Sequence, residues 1–177
     1  MSVLKNKACL AHAVIPPSRA AATSAQRDTP AVIAPPPLIY LVALATGFVL
    51  EALLPSASIP PAVSWSVGGV LVIAGLTLAR SFFRALHRAN TPVSPYSPAT
   101  ALVTTGPYRF GRNPGYVGMT LGYAGIAILS GALWVLAPLV PTLLLIDRGV
   151  IRREERHLER SFGEDYIRYR SRTRRWI

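Results

Sequence analysis

Four apolar segments, Leu38 to Leu54, Ala62 to Phe83, Tyr116 to Leu129 and Ala132 to Ile146, set the frame of this chain, and within them only Glu51 and Arg80 carry charge. Lipid offers the backbone no hydrogen bonds, so a spanning segment must satisfy its own N–H and C=O groups, as a helix does. A bilayer core of about 30 Å takes roughly 20 helical residues, which the second segment supplies fully and the first nearly so. Residues 116 to 146 as one helix would run about 46 Å, too long for a single span. Ser130-Gly131 offers a turn in the middle. The expectation is two short helices in a hairpin, with Pro138 and Pro141 kinking the second. The fold class read from this pattern is all-α: an integral membrane protein of about four transmembrane helices, with a cytosolic cap built from the central loop and the C-terminal helices.

Composition agrees with a membrane domain. Hydrophobic residues make up 51% of the 177 and charged ones 15%, against roughly 25% charged in a soluble domain. The net charge of +11 does not point to nucleic acid, because the arginines flank apolar runs and are not interleaved with aromatics. Anionic lipid headgroups are the expected partner of that charge. The single cysteine, Cys9, excludes an internal disulfide framework, and His12, His87 and His157 are scattered, so no metal site is expected.

Residues 1 to 37 carry Lys5, Lys7, Arg19 and Arg27 against one acid, Asp28, and end in Pro35-Pro36-Pro37. A disordered, dispensable tail is expected here. The same composition also suits a transit peptide. Residues 38 to 177 then form the membrane domain. Cytoplasmic flanks collect Lys and Arg. Arg80, Arg84, Arg88, Arg109 and Arg112 share one loop region and ten arginines lie from Arg148 to Arg175, whereas Pro55 to Pro61 and Ser130-Gly131 are uncharged. Four spans with both termini in the cytoplasm satisfy every loop.

Between the second and third apolar segments lies a polar, glycine- and proline-broken run, Gly106-Pro107-Tyr108-Arg109-Phe110-Gly111-Arg112-Asn113-Pro114-Gly115-Tyr116. Irregular backbone beside a bilayer persists where protein or water satisfies it, so such a run points to a cavity. Arg109 and Arg112, three apart, would share a side if helical, and suit either a carboxylate or phosphate clamp or headgroup contact. Asn113-Pro114 reads as the cap and first residue of the third helix, whose N–H groups favour an anion. Beyond Ile146 the helix is expected to continue to a break at Gly163, followed by a short amphipathic helix. Ile151, Leu158 and Phe162 follow helical spacing, and Glu155 falls in that same apolar stripe. An acid there needs a cation, which an arginine of this helix or of the central loop, or a cationic ligand, would provide. Glu154 sits at the stripe's edge. Tyr108, Tyr116, Tyr166 and Tyr169 suit ligand contact and interface anchoring equally. Glu51 is expected to face the bundle or the far interface, and His87 and His157 to be solvated or capping.

These residues resemble the isoprenylcysteine carboxyl methyltransferase and phospholipid methyltransferase superfamily of membrane enzymes, over roughly residues 65 to 177. Two linked blocks carry the resemblance: Gly106-Pro107-Tyr108 with Arg112-Asn113-Pro114-x-Tyr116-x-Gly118, and Glu154-Glu155 with Leu158, Phe162-Gly163, Tyr166 and Tyr169. The resemblance implies an S-adenosylmethionine site at the cytosolic membrane face, within residues 100 to 170, and an apolar substrate entering from the bilayer. It implies cofactor contacts from Leu102, Val103, Gly106, Tyr108, Arg112, Asn113, Pro114, Tyr116, Glu154 and Glu155, with Arg109, Arg112 and Glu155 at the reaction. Asn113 stands where eukaryotic carboxyl methyltransferases of the family carry His, which keeps a hydrogen-bonding group and removes a titratable one.

Three functions are compatible with this reading. The first is methyl transfer to the carboxylate of an isoprenylcysteine-like or other apolar acid. A second keeps the cofactor and methylates an ethanolamine headgroup. A third is a non-enzymatic membrane protein that binds anionic lipid.

Overall fold

The computed structural model describes residues 14–15, 34–54, 57, 59–92 and 100–176. The expected tail therefore lies mostly outside the described residues, as does part of the stretch from Pro55 to Pro61. Two strands and five helical segments follow in order: β1 (Val14–Ile15), α1 (Pro36–Leu53), α2 (Pro61–Arg88), β2 (Leu102–Val103), α3 (Pro114–Leu129), α4 (Leu133–Phe162) and α5 (Glu164–Arg172). Among the described residues α1, α2 and α4 are long and apolar enough to cross a membrane, and α3 is a shorter apolar helix. The helical membrane class read from the sequence is the one observed.

The chain divides into two compact units. One comprises Ile33–Arg80 and Gly115–Ile151. Its helices meet through small residues. α1 buries Pro36, Tyr40, Ala43 and Gly47 on one stripe while Leu41, Val42 and Val49 face outward. A Cβ on Gly75 of α2 would lie 2.8 Å from both the Gly118 carbonyl oxygen and the Gly122 nitrogen of α3. Backbone thus packs on backbone, the close approach that small residues allow between membrane helices. Hydroxyls satisfy the remaining polar demand: Ser64 donates to the Ile128 carbonyl at 2.6 Å, Tyr123 to the Val135 carbonyl at 2.7 Å, and Tyr40 pairs with Thr120 at 2.9 Å. Glu51 accepts from the Trp134 N–H at 2.9 Å, which places this acid on a helix start within the unit. The turn expected at Ser130-Gly131 is present, with Gly131 at a positive φ of 69°. α4 begins as a 3-10 turn over Leu133–Leu136, passes Pro138 and loosens to π geometry over Ile146–Ile151, where apolar sequence gives way to charge.

The other unit holds the described parts of Met1–Val32 together with Ser81–Pro114 and Arg152–Ile177. Leu102, Phe162 and Tyr166 form its core, with Ile15, Leu158 and Tyr169 packed around them. Gly163, at a φ of 53°, breaks α4 from α5 as expected and turns the chain so that Tyr166 and Tyr169 face Phe162's side of the core. β1 pairs antiparallel with β2, Val14 opposite Val103 and Ile15 opposite Leu102. Ile15 packs against the core, because an apolar β-branched residue with a strand partner gains more from that cover than from solvent.

Candidate functional site

The site is built where an irregular loop meets two charged helices, all within this second unit. The chain enters through β2 and a single 3-10 turn, Gly106–Arg109, opened by Gly106 at a φ of 63°. It leaves at Pro114, where α3 starts as the Asn113-Pro114 pair foretells. Across from it, the α4 stripe is buried as its spacing requires, Glu155 to 6% exposure and Phe162 to 7%.

Glu155 is the centre of the cluster. Arg112 donates to its Oε1 from Nε at 3.0 Å and from Nη2 at 2.9 Å. Arg175 donates to Oε2 from Nη2 at 2.7 Å and to Oε1 from Nε at 3.3 Å. Of the alternatives open for this acid, the arginine of the central loop is therefore realised, and a second arginine joins it. The side chains of Arg112 and Glu155 are 10% and 8% exposed, and that of Arg175 31%. Burial of an ion costs several kcal/mol unless geometry and further hydrogen bonds compensate. Here they do: Arg112 Nη1 also donates to the carbonyls of Arg170, at 3.0 Å, and Thr173.

That use of Arg112 has a consequence for recognition. Its planar fork carries five N–H donors, and the protein itself accepts from Nε, Nη1 and Nη2. Arg112 is a joint between α4, the central loop and the C-terminal segment. The loop is stitched to the same segment by the backbone as well. Arg112 N–H donates to the Arg174 carbonyl at 2.9 Å, Gly111 bridges Arg174, and the Asn113 amide donates to the Arg175 carbonyl at 2.9 Å.

Among the described residues three tyrosines lie in the same unit. Tyr169 donates to the Tyr108 carbonyl at 2.7 Å, and its ring meets that of Tyr166 edge-on at 6.3 Å. Tyr108 packs on Phe82 at 6.1 Å. Burial pushes the Tyr166 hydroxyl well above its ordinary pKa; the Glu155 charge adds to this, and Arg112 and Arg170 oppose it. Burial does the same to Tyr169, helped by Tyr166, and to Tyr108, helped by Tyr169 and Glu154. All three hydroxyls stay protonated at neutral pH. The Tyr166 hydroxyl is buried with no hydrogen-bond partner among the described residues.

The sequence-derived site residues do not all gather. Arg112, Asn113 and Glu155 form one bonded cluster; Glu154 is half-buried and its charge is felt at Tyr108; Leu102, Val103 and Pro114 are buried in the same unit. Gly106 opens the loop and is exposed. Arg109 is also exposed and no hydrogen bond or ion pair ties it to the cluster, because the 3-10 turn ends with it and the chain reverses before Arg112. Tyr116 belongs to the other unit, where its carbonyl accepts from Thr120 at 2.8 Å. His157, expected to be solvated or capping, is 4% exposed. His87 is exposed in the last turn of α2, as expected. Arg175 escaped sequence reasoning because it ends a basic run, Arg172-Thr173-Arg174-Arg175, that reads as a solvated tail.

Comparison with known proteins bears on this arrangement. The family model described as phospholipid methyltransferase matches residues 63–165. The chain belongs to the phospholipid methyltransferase family. With its apolar helices it is a membrane protein of a methyltransferase family. The chain is similar to the nickel-cobalt-cadmium resistance protein NccN of Alcaligenes xylosoxydans xylosoxydans, 39% identical over 72 residues, which cover 40% of this chain and 34% of that one. It is also similar to the cobalt-zinc-cadmium resistance protein CzcN of Cupriavidus metallidurans, 40% identical over 72 residues, 41% of this chain and 33% of that one. An uncharacterised protein of Haemophilus influenzae is 46% identical over 35 residues, 20% of this chain and 56% of its own. The chain thus spans about a third of the length of the two resistance proteins. No solved structure gives a significant match. Among the described residues no group of three His, Cys, Asp or Glu side chains is disposed to hold a metal ion. The family match ends at residue 165, so Tyr166, Tyr169 and Arg175 lie beyond it.

Proposed function

We propose that this protein is an S-adenosylmethionine-dependent methyltransferase acting on the carboxylate of an apolar, lipid-soluble acid. The observation that carries the reading is the joining of the central loop to the acidic helix through Arg112 and Glu155 at 2.9 Å, in a chain of the phospholipid methyltransferase family. When bound, the cofactor supplies a methyl group activated on a sulfonium. The residues present suit it. Half-buried Glu154 offers acid to its cationic groups, and exposed Arg109, outside the bonded cluster, a guanidinium to its carboxylate. The buried Tyr166 hydroxyl, without a partner among the described residues, is a donor that a ligand would satisfy.

A carboxylate acceptor is supported by the state of the tyrosines and of Glu155. An amine acceptor must lose a proton to a base. The three tyrosines are held protonated by burial, and Glu155 is committed to two guanidinium groups. A carboxylate is already ionised at neutral pH and asks for no base. The protein's contribution is then to align the reactants and exclude water. The arginine distribution favours the cytoplasmic face for this unit, since positively charged flanks are retained there. Anionic headgroups are the partner that the exposed arginines suit.

The test is purified full-length protein with labelled S-adenosylmethionine and a panel of prenylated acids, fatty acids and aminophospholipids. Label is expected on the acids as base-labile esters. Label on aminophospholipids alone would move the assignment to headgroup N-methylation, and no saturable cofactor binding would leave an anionic-lipid-binding protein.

A further inference from the structure

We propose that Phe110 is a lipid contact: its ring enters the boundary between acyl chains and headgroups and anchors the central loop, close to Arg112 in the chain, on the bilayer surface. Such a contact needs only the membrane-embedded class and stands whether or not the chain transfers methyl groups.

The first ground is depth, which two helices measure independently. α2 begins at Pro61 and α4 at Leu133, each next to an uncharged stretch of sequence. At 1.5 Å per residue, Phe82 stands about 32 Å along α2, and its ring meets that of Tyr108 at 6.1 Å. By the same rise, Glu155 stands about 33 Å along α4, and Arg112 donates to it at 2.9 Å. A bilayer core is about 30 Å thick, so Tyr108 and Arg112 both lie at its edge. An average helix tilt of about 20° shortens these depths by only about 2 Å. Phe110 lies between the two in the chain. On its far side the chain to Pro114, where apolar α3 starts, reaches at most about 14 Å.

The second ground is exposure. Phe110 is 75% exposed, more than any other large apolar residue described in its unit. The residues two positions away on either side turn inward: Tyr108 packs on Phe82, and the Arg112 side chain is 10% exposed. Hydrogen bonds hold the tip that carries the ring. Phe110 N–H donates to the Pro107 carbonyl at 3.2 Å, the Tyr108 carbonyl accepts from Tyr169 at 2.7 Å, and Gly111 bridges Arg174. An aromatic ring left in water forgoes the gain of burial, and at this depth lipid restores it. A turn fixed in advance lowers the ordering cost of the contact.

The test uses full-length protein in phosphatidylcholine vesicles, with Cys9→Ser removing the single native cysteine. A nitroxide label is placed on Phe110→Cys, and its collisions with oxygen, which concentrates in lipid, and with a water-soluble nickel chelate are measured. Ile73→Cys, on the outward face of α2, supplies the lipid reference, and Ser171→Cys, exposed on α5, the aqueous one. The oxygen-to-nickel ratio at position 110 is expected to be several times that at position 171 and closer to that at position 73. A ratio equal to the aqueous reference overturns the proposal. So does shielding from both reagents, which would put the ring against protein, a second copy of this chain included. The native ring is tested through a label on Arg109→Cys: adding Phe110→Ser should lower the ratio there towards the aqueous value, and an unchanged ratio denies Phe110 the anchoring role. Because position 110 faces outward, its replacement leaves the core of the unit intact.

Discussion

The two units solve opposite problems with opposite residues. In the unit of Ile33–Arg80 and Gly115–Ile151, stability comes from removing side chains: Gly68, Gly75, Gly118 and Gly125 let backbones touch, and large apolar residues such as Leu41, Val70, Ile73 and Val140 are left facing out. In the other unit, long charged side chains reach across to carbonyls and carboxylates, and the core is small and aromatic. Where the surroundings are lipid, close van der Waals contact is the available attraction. Where they include water, a buried charge is tolerable only inside a complete network, and the network then fixes geometry more narrowly than packing does. The first solution makes a scaffold and the second makes a site.

The contrast can be broken most forcefully at Gly75. Gly75→Val puts a side chain 2.8 Å from two backbone atoms of α3, and neither can swing aside. A loss of about 4 kcal/mol is expected, as for severe overpacking. It would be read as collapse of folded yield and of thermal midpoint in detergent. A small effect would mean that the glycine contacts are not what binds α2 to α3.

A somewhat smaller loss is expected from Glu155→Gln, which leaves two arginines sharing a neutral amide. Breaking a buried pair costs roughly 3 kcal/mol at the low end of the range, fitting here because Arg175 is partly exposed. The reading of function adds that saturable S-adenosylmethionine binding is lost as well. Retained cofactor binding in a destabilised Glu155→Gln protein would reduce the triad to a structural role.

The gentlest change sharpens the comparison. Tyr166→Phe removes a buried hydroxyl that has no partner among the described residues, so stability should hold or rise by up to about 1 kcal/mol. If that hydroxyl serves a ligand, cofactor affinity falls about tenfold while the melting point does not, an uncoupling that no substitution in the apolar unit should produce. A drop in melting point with unchanged affinity would show Tyr166 to be core alone.

Legibility in the sequence differed between the two units for the same physical reason. Local chemistry announced the helices: Pro114 starts α3, Gly131 and Gly163 end a turn or a helix at positive φ, and the second apolar stretch runs to span length. The stripe Ile151, Glu155, Leu158 and Phe162 showed that an acid would be buried before any partner was visible. The resemblance tied that acid to the central loop. Misreadings came where a residue's fate hangs on distant chain. Arg109 and Arg112 look equivalent by spacing, but one is exposed and the other sealed. His157 looks polar and lies buried.

By itself, then, the sequence determined the membrane-embedded helical class, the element starts and stops and the demand for a cation at Glu155, because propensity, span length and the cost of burying charge act locally. Only the tertiary structure decided which cations answer that demand. Arg112 lies 43 residues from Glu155 along the chain and Arg175 lies 20 away. Coulomb attraction depends on distance in space, and no spacing rule along the chain can rank its arginines until the fold brings Arg112 and Arg175 within 3 Å.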